Sequence, residues 1–322
     1  MSYSTENDAR IIIFGPTGHV GSAAARAAQE QGVKVFLAMR DPEKAIPGLN
    51  TEREQEAGFE RVYADLTKPD TVHAAVTKTG AKRAFIYLIF GTPDHMKSAI
   101  VTLKSAGIDF VVFLSSYTVP DNLSMESISP NNFIAWGHGR VEINLDEVFG
   151  SDGYVAVRPG SFASNSLRWK KMIQHSEIEI AYPEALFDWI SPGDIGRVCG
   201  TVVARGPRAV NGKVIRLCGP EIMSQGEAAD AIGRVIGKDI KLTRLDEQGG
   251  VDFFMKVAHL SEPAARQVIA MLKKRVEDGK SDGGHYEGLR YEEAVANIQK
   301  YGGRQPTRFH QWVEENKTEF GV

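Results

Sequence analysis

The sequence predicts an α/β fold, a Rossmann-type doubly wound parallel sheet followed by a smaller, mostly helical C-terminal region. Three observations predict it. Short apolar runs alternate with helix-like stretches through the first half of the chain, the rhythm of βαβ units. The first apolar run ends in a glycine loop that opens directly onto an Ala-rich stretch. After Arg158 the strand signals thin out and helical patterns dominate.

The strand-like runs are Ile11–Phe14, Val33–Met39, Arg61–Tyr63, Ala84–Phe90, Phe110–Ser115 and Tyr154–Arg158, with Ser22–Gln31, Asp70–Thr77, Pro93–Ala106 and Arg140–Phe149 as the helices between them. Ser161–Ile180 is polar and loosely patterned, with Trp169 beside a Lys170-Lys171 pair. Further on, Ile195–Val203 reads as a helix capped by Asp194, Val214–Leu217 as a strand, and Gln225–Ile236 as a helix ended by Gly237. Val251–Lys274 reads as helix interrupted near Pro263, Glu277–Glu287 as a loop, and Pro306–Phe320 as a short amphipathic helix capped by Thr307. The expected organisation is a nucleotide-binding region over 1–160, rejoined by 187–218, and a substrate or lid region over 161–186 and 219–322. No internal repeat is visible.

The glycine loop reads Gly15-Pro16-Thr17-Gly18-His19-Val20-Gly21. In this setting Gly15 turns the chain off the strand. Gly18 leaves room for a pyrophosphate, and Gly21 lets the helix pack close. The helix N-terminus then offers its N–H groups to the phosphates. These roles describe a Rossmann-type dinucleotide site; a tight turn without a ligand is the alternative. Arg40 closes the second strand, where an arginine meets the 2′-phosphate of NADP and an acid meets the ribose of NAD. Lys44 adds a second charge. Asp41 can take the acidic role, but Asp41-Pro42 also reads as a helix start. Arg40 has a plain surface charge as its alternative. Asp65 and Leu66 follow the third strand, within reach of an adenine ring, although Asp65 equally suits a turn cap. Phe90 after the fourth strand, and Ser115, Ser116 and Tyr117 after the fifth, should face the nicotinamide end, because ligands sit at the carboxyl ends of such strands.

Composition narrows the partners. A net charge of −3 without any Lys/Arg-rich run of five or more residues argues against nucleic acid. The two cysteines, Cys199 and Cys218, lack metal-site spacing and suit a reducing compartment. The histidines are likewise not spaced for a metal. Neither a signal core nor an apolar run of membrane-spanning length is found, so a cytoplasmic protein with no membrane partner is expected. The oligomeric state is open.

Together the glycine loop, Arg40 with Lys44, Arg158-Pro159-Gly160-Ser161-Phe162 through Asn165, Asp188-Trp189-Ile190 with Asp194-Ile195-Gly196, and Phe309-His310-Gln311-Trp312 resemble the NmrA-like atypical short-chain dehydrogenases, particularly the fungal members, over nearly the whole chain. The resemblance implies NADP(H) as cofactor, with Arg40 and Lys44 on the 2′-phosphate. One departure matters. No lysine has a tyrosine four residues before it, so the Tyr-x-x-x-Lys pair of ordinary short-chain dehydrogenases is missing. Where many relatives carry a lysine four residues before the glutamate of the next helix, this chain has His138. A histidine there can act as general acid near neutral pH or serve structure alone. Ser115 and Tyr117 are the other catalytic candidates, each with a turn or loop role as the alternative. Phe133, Trp136, Phe162 and Trp169 are expected on the substrate side and suggest an apolar or aromatic small molecule, unless they belong to the core.

Three functions fit these readings. The first is an NADPH-dependent reductase of a small carbonyl, imine or activated alkene. The second is an NADP(H)-binding redox regulator with a protein partner. The third is a non-redox isomerase, dehydratase or cyclase.

Overall fold

A computed structural model describes residues 9–121, 128–277 and 288–321. The loop expected after Glu277 therefore lies, from residue 278 to 287, outside the described residues. Contacts divide the chain into two compact units. The first comprises Met1–Pro159, Pro192–Leu217 and Asn297–Arg304; the second comprises Gly160–Ser191, Cys218–Ala296 and Gln305–Val322.

The first unit is built from β1 (Arg10–Phe14), α1 (His19–Gln29), β2 (Lys34–Met39), α2 (Thr51–Glu56), β3 (Glu60–Tyr63), α3 (Pro69–Thr79), β4 (Arg83–Tyr87), α4 (Lys97–Ser105), β5 (Phe110–Leu114), α5 (Phe133–Phe149) and β6 (Tyr154–Pro159). Its sheet has seven strands in the order β3-β2-β1-β4-β5-β6-β9, where β9 is Val214–Leu217. Every neighbouring pair is parallel. The order reverses between β1 and β4, which opens a crevice at the strands' carboxyl ends. Ile11, Ile12 and Ile13 are completely buried, as a central parallel strand covered on both faces requires.

Helix α1 packs on α7 (Pro192–Arg205) through small residues. A Cβ on Gly196 would lie 2.5 Å from Ala23 Cβ, and one on Gly200 would lie 2.9 Å from Ala27 Cβ. The Ala-rich composition of α1 thus answers a close helix crossing. That crossing holds the glycine loop, at the head of α1, against the sheet.

The second unit contains α6 (Lys170–Gln174), β7 (Glu177–Ala181), β8 (Leu186–Phe187), β10 (Met223–Ser224), α8 (Gln225–Ile236), β11 (Lys241–Leu245), α9 (Glu247–Val257), α10 (Glu262–Glu277), the first residues of α11 (Gly288–Gly302) and α12 (Phe309–Glu315). Strands β7 and β11 pair in parallel and β8 and β10 antiparallel. The core is aromatic: Trp169, Trp189, Phe309, Trp312 and Phe320 are all buried. Helix α8 carries the reciprocal Ser224–Glu227 capping box and ends at left-handed Gly237.

Several sequence expectations change. Strand β4 stops at Tyr87, and Leu88–Phe90 leave the ladder. Helix α5 begins at Phe133, seated on the Asn132 side chain, which accepts from Ala135 N; two glycines in its first turns hid it. Asp41 starts no helix: its side chain accepts from Glu43 N at 3.0 Å and shapes a turn. The polar stretch 161–180 contains a 3-10 turn (Ala163–Trp169), α6 and β7. The cap of α12 is Arg308 and not Thr307.

Candidate functional site

A cavity of about 620 Å³ lies in the first unit at the carboxyl ends of β1 to β4. Gly15, Thr17, Arg40, Lys44, Asp65, Leu66 and Phe90 line it together with Asp41 and Tyr87. Seven of the sequence-predicted cofactor residues thus share one cavity. Gly18 caps α1, and His19, Val20 and Gly21 form the first turn of that helix.

Each glycine of the loop meets a different constraint. Gly15 has a left-handed backbone, φ +69°, and the ring of Tyr87 fills the place of its Cβ, with Cζ 3.0 Å away. A Cβ on Gly21 would strike the Gly15 carbonyl, lying 2.8 Å from its carbon. Gly18 differs. Its backbone is extended, and a Cβ there would meet only Gly15 O, at an ordinary 3.6 Å. The open side of the loop is therefore at Gly18, at the head of α1, where a helix N-terminus directs its N–H groups and the positive end of its dipole. This is the cradle a pyrophosphate needs.

Arg40 and Lys44 are exposed on the cavity wall. Asp65 accepts from Thr67 N at 2.9 Å and Thr67 Oγ1 at 2.8 Å. Partial burial opposes its charge, yet the Thr67 bonds and the charge of Arg40 outweigh that and hold its carboxyl below the usual value. The turn-capping role thus holds the Asp65 carboxylate, while its position still flanks the cavity. Tyr87 was missed by sequence reasoning. Its hydroxyl is raised above its ordinary value by burial, with Arg40 and Asp65 acting on it in opposite directions. The available signal was register: Ile13 pairs with Phe85, so Tyr87 stands opposite Gly15.

The catalytic candidates are more constrained than expected. Ser115 is 3% exposed and donates to Glu142 Oε1 at 2.5 Å. Tyr117, in the loop after β5, is 6% exposed, and its N–H donates to Pro159 O at 2.9 Å. His138 is half-buried and its Nδ1–H donates to Ile134 O at 2.8 Å. Its ring meets Phe90 edge-on at 5.9 Å and Phe113 at 6.1 Å. Burial lowers its pKa to about 4, despite the Ile134 bond. The expectation of a His138 protonated near neutral pH is therefore corrected. The ring sits among aromatics, and burial there disfavours the charge.

Phe133 lies 6.0 Å from Phe90, so these two and His138 form one cluster beside the cavity. Trp136 points elsewhere on α5, against His95 at 6.2 Å and under the Arg140 guanidinium at 5.4 Å. Phe162 and Trp169 belong to the second unit. Phe162 is partly exposed and bridges to Ile190. Trp169 is 1% exposed and packs 5.9 Å from Trp189, so its place is the core and the substrate-wall expectation is corrected. No group of three or more His, Cys, Asp or Glu among the described residues is arranged to hold a metal, and no described helix is long and apolar enough to cross a membrane.

The sequence model of the NmrA-like family matches residues 7–283. This chain belongs to the NmrA-like family. It is similar to the nitrogen metabolite regulation-like protein bik4 of Gibberella fujikuroi, with 32% identity over 95% of each chain. It is also 27% identical to an NAD(P)H azoreductase of Xenophilus azovorans, over 72% of this chain and 75% of that one. Among solved structures, the NADPH-dependent quinone oxidoreductase from Escherichia coli complexed with NADPH shares the fold, with a TM-score of 0.67 and 17% identity over 95% of this chain and 99% of that one.

In this NmrA-like chain several residues of the later motifs hold the second unit together. Asp188 is fully buried; Oδ1 accepts from Ser161 N at 2.7 Å and Oδ2 from Gly219 N at 2.9 Å. One carboxylate thus ties two loops of the second unit. A side chain on Gly160 would run into that carboxylate, which accounts for the Gly-Ser pair. Trp189 holds a positive φ of 42° and anchors its indole N–H on Met223 O at 3.0 Å. Phe309 and Trp312 stack at 5.9 Å in the aromatic core.

Proposed function

We propose that this chain binds NADP(H) in the β1–β4 cavity and reduces a small, largely apolar or aromatic metabolite bearing a carbonyl, imine or activated alkene. The observation that carries the reading is the joining of Arg40 and Lys44 to the glycine loop by one cavity of about 620 Å³. The residues present fit the group: Gly18 is open where a pyrophosphate approaches, and two cations stand where a 2′-phosphate would lie. Leu66 and Asp65 flank the adenine end, and Phe90 with Phe133 supplies an aromatic wall for the acceptor. Relatives named as an azoreductase and a quinone oxidoreductase support a reductase.

When bound, NADPH supplies a hydride; the protein supplies position, exclusion of water and a proton. His138 serves here as a neutral hydrogen-bond acceptor through Nε2, because Nδ1–H is engaged. The proton then comes from Tyr117 or from water.

Two observations favour a second reading, an NADP(H)-binding regulator without turnover. Ser115 is committed to Glu142 and His138 is uncharged at neutral pH, so the usual acid–base set is missing. The relative named for nitrogen metabolite regulation points the same way. A cofactor-oxidation screen with NADPH and NADH against aromatic and polyketide-like carbonyls, run beside calorimetry, decides. Turnover supports the reductase. Tight binding without turnover supports the regulator. Product formed without nucleotide oxidation points to the non-redox alternative.

A further inference from the structure

We propose that Arg61, with Glu54 and Arg26, positions the loop carrying Lys44 and so sets the preference for a 2′-phosphate; this rests on the NADP(H) reading above. The loop runs from Asp41 to Gly48, between β2 and α2, with no strand or helix of its own. Two arginines from outside it hold its carbonyls. From β3, Arg61 Nη1 donates to Lys44 O at 3.1 Å and also to Pro42 O. From α1, Arg26 Nη1 donates to Pro47 O at 2.8 Å. Gly48 is left-handed at φ +71°, and a Cβ there would come within 2.8 Å of Arg26 Nη1, so the glycine makes room for this clamp.

Arg61 is itself fixed. Its Nε and Nη2 fork onto Glu54 at 2.8 and 2.6 Å, a two-point geometry that locks the guanidinium plane. The Glu54 side chain is only 10% exposed, and its helix α2 starts on an Asn50 cap that accepts from Arg53 N at 2.9 Å. The chain of support is therefore Glu54 to Arg61 to the backbone of Pro42 and Lys44. Neither Arg61 nor Glu54 lines the cavity; they act through the loop and are positioning residues. Arg61 has a second effect. Asp41 and Glu43 act on it by charge, so it offsets two acids that would repel a phosphate beside Arg40.

A loop without these clamps leaves the Lys44 ammonium to pay the ordering entropy when a phosphate binds. NADH lacks that phosphate and asks little of the loop. In Arg61→Gln, calorimetry should show NADPH binding weakened by about tenfold, roughly 1.4 kcal/mol, with NADH binding changed by less than about twofold. Arg61→Lys keeps the charge but loses the fork and should restore only part of the affinity. Glu54→Ala separates position from charge. It leaves Arg61 cationic and removes an acid, so a pure charge effect would strengthen NADPH binding, whereas loss of the clamp weakens it. Hydrogen exchange at the 41–48 amides, without nucleotide, should accelerate in Arg61→Gln and Glu54→Ala. A wild-type protein that binds NADPH and NADH equally overturns the NADP(H) reading and this proposal with it. A wild-type preference that survives unchanged in folded Arg61→Gln overturns the clamp alone. Should Arg61→Gln not fold, Arg61→Lys and Glu54→Ala carry the same test.

Discussion

Glu142 and Arg158 form a two-point ion pair inside the first unit. Arg158 Nη2 lies 2.6 Å from Glu142 Oε2 and Nε donates to Oε1 at 3.0 Å, with the side chains 1% and 2% exposed. Glu142 Oε1 also accepts from Ser115, and Arg158 Nη1 reaches Val119 O and Pro120 O at 3.1 and 3.2 Å. Four segments are joined this way: the end of β5, the loop after it, α5 and β6. The pair thus explains both the arginine of the Arg-Pro-Gly-Ser motif and the commitment of Ser115.

Removing one partner strands the other charge in a dry interior. Arg158→Met should lower the unfolding free energy by about 3–5 kcal/mol, read by urea denaturation. Ser115→Ala removes one bond to a charged acceptor and should cost about 1–3 kcal/mol, with nucleotide affinity retained. An Arg158→Met protein as stable as wild type would show that solvent already reaches Glu142.

The glycine loop separates a ligand role from a folding role. Gly18→Val should keep the circular dichroism spectrum of the wild type and abolish nucleotide binding by calorimetry, since the new side chain enters open space at the pyrophosphate cradle. Gly21→Val should lose stability severely, because its Cβ meets the Gly15 carbonyl. Nucleotide bound normally by folded Gly18→Val would make the loop a structural turn only.

NADPH should bind more tightly than NADH. Charge-assisted contacts to the 2′-phosphate are worth about 1.5–3 kcal/mol each, so Arg40→Ala should erase most of the difference. Raising ionic strength should narrow the gap as well, because Arg40 and Lys44 are exposed. Equal affinities in the unmodified protein would overturn this expectation.

What was legible in the sequence follows from the range of each interaction. The sheet and the glycine loop were readable because a doubly buried strand must be apolar throughout and a tight turn must be glycine; both constraints are local. Asp41 was misread as a helix start because turn and helix caps use the same residue type for the same hydrogen bond. The start of α5 was missed because Gly137 and Gly139 lower helix propensity, while packing overrides it: a Cβ on Gly137 would lie 3.1 Å from Leu88 Cδ2. Trp169 and Phe133 are both large aromatics, and only tertiary contacts send one to a core and the other to a cavity edge. Tyr87 and Arg61 depend on register and on a loop's carbonyls, which no single segment reveals.

His138 yields a pH prediction. Its folded pKa, about 4, lies below the ordinary 6.5 expected in the unfolded chain. Between those values the unfolded state binds the proton and the folded state does not, so folding stability rises with pH. The contribution is intact above pH 6.5 and is lost progressively as pH falls toward 4. Other groups titrate in the same window, so the useful quantity is the difference between wild type and His138→Gln, which cannot protonate there. By urea denaturation at stepped pH, the wild type should lose stability relative to His138→Gln from pH 6.5 down to 4, and the two should run parallel above 7. If the protein turns over NADPH, a His138 acting as general acid with an ordinary pKa would cost activity as pH rises through 6.5. A neutral His138 gives no such limb, and wild type and His138→Gln should share the shape of their turnover profiles. A constant stability gap from pH 7 to 4 would mean that the imidazole ionises as readily in the fold as out of it, and would restore His138 as an acid.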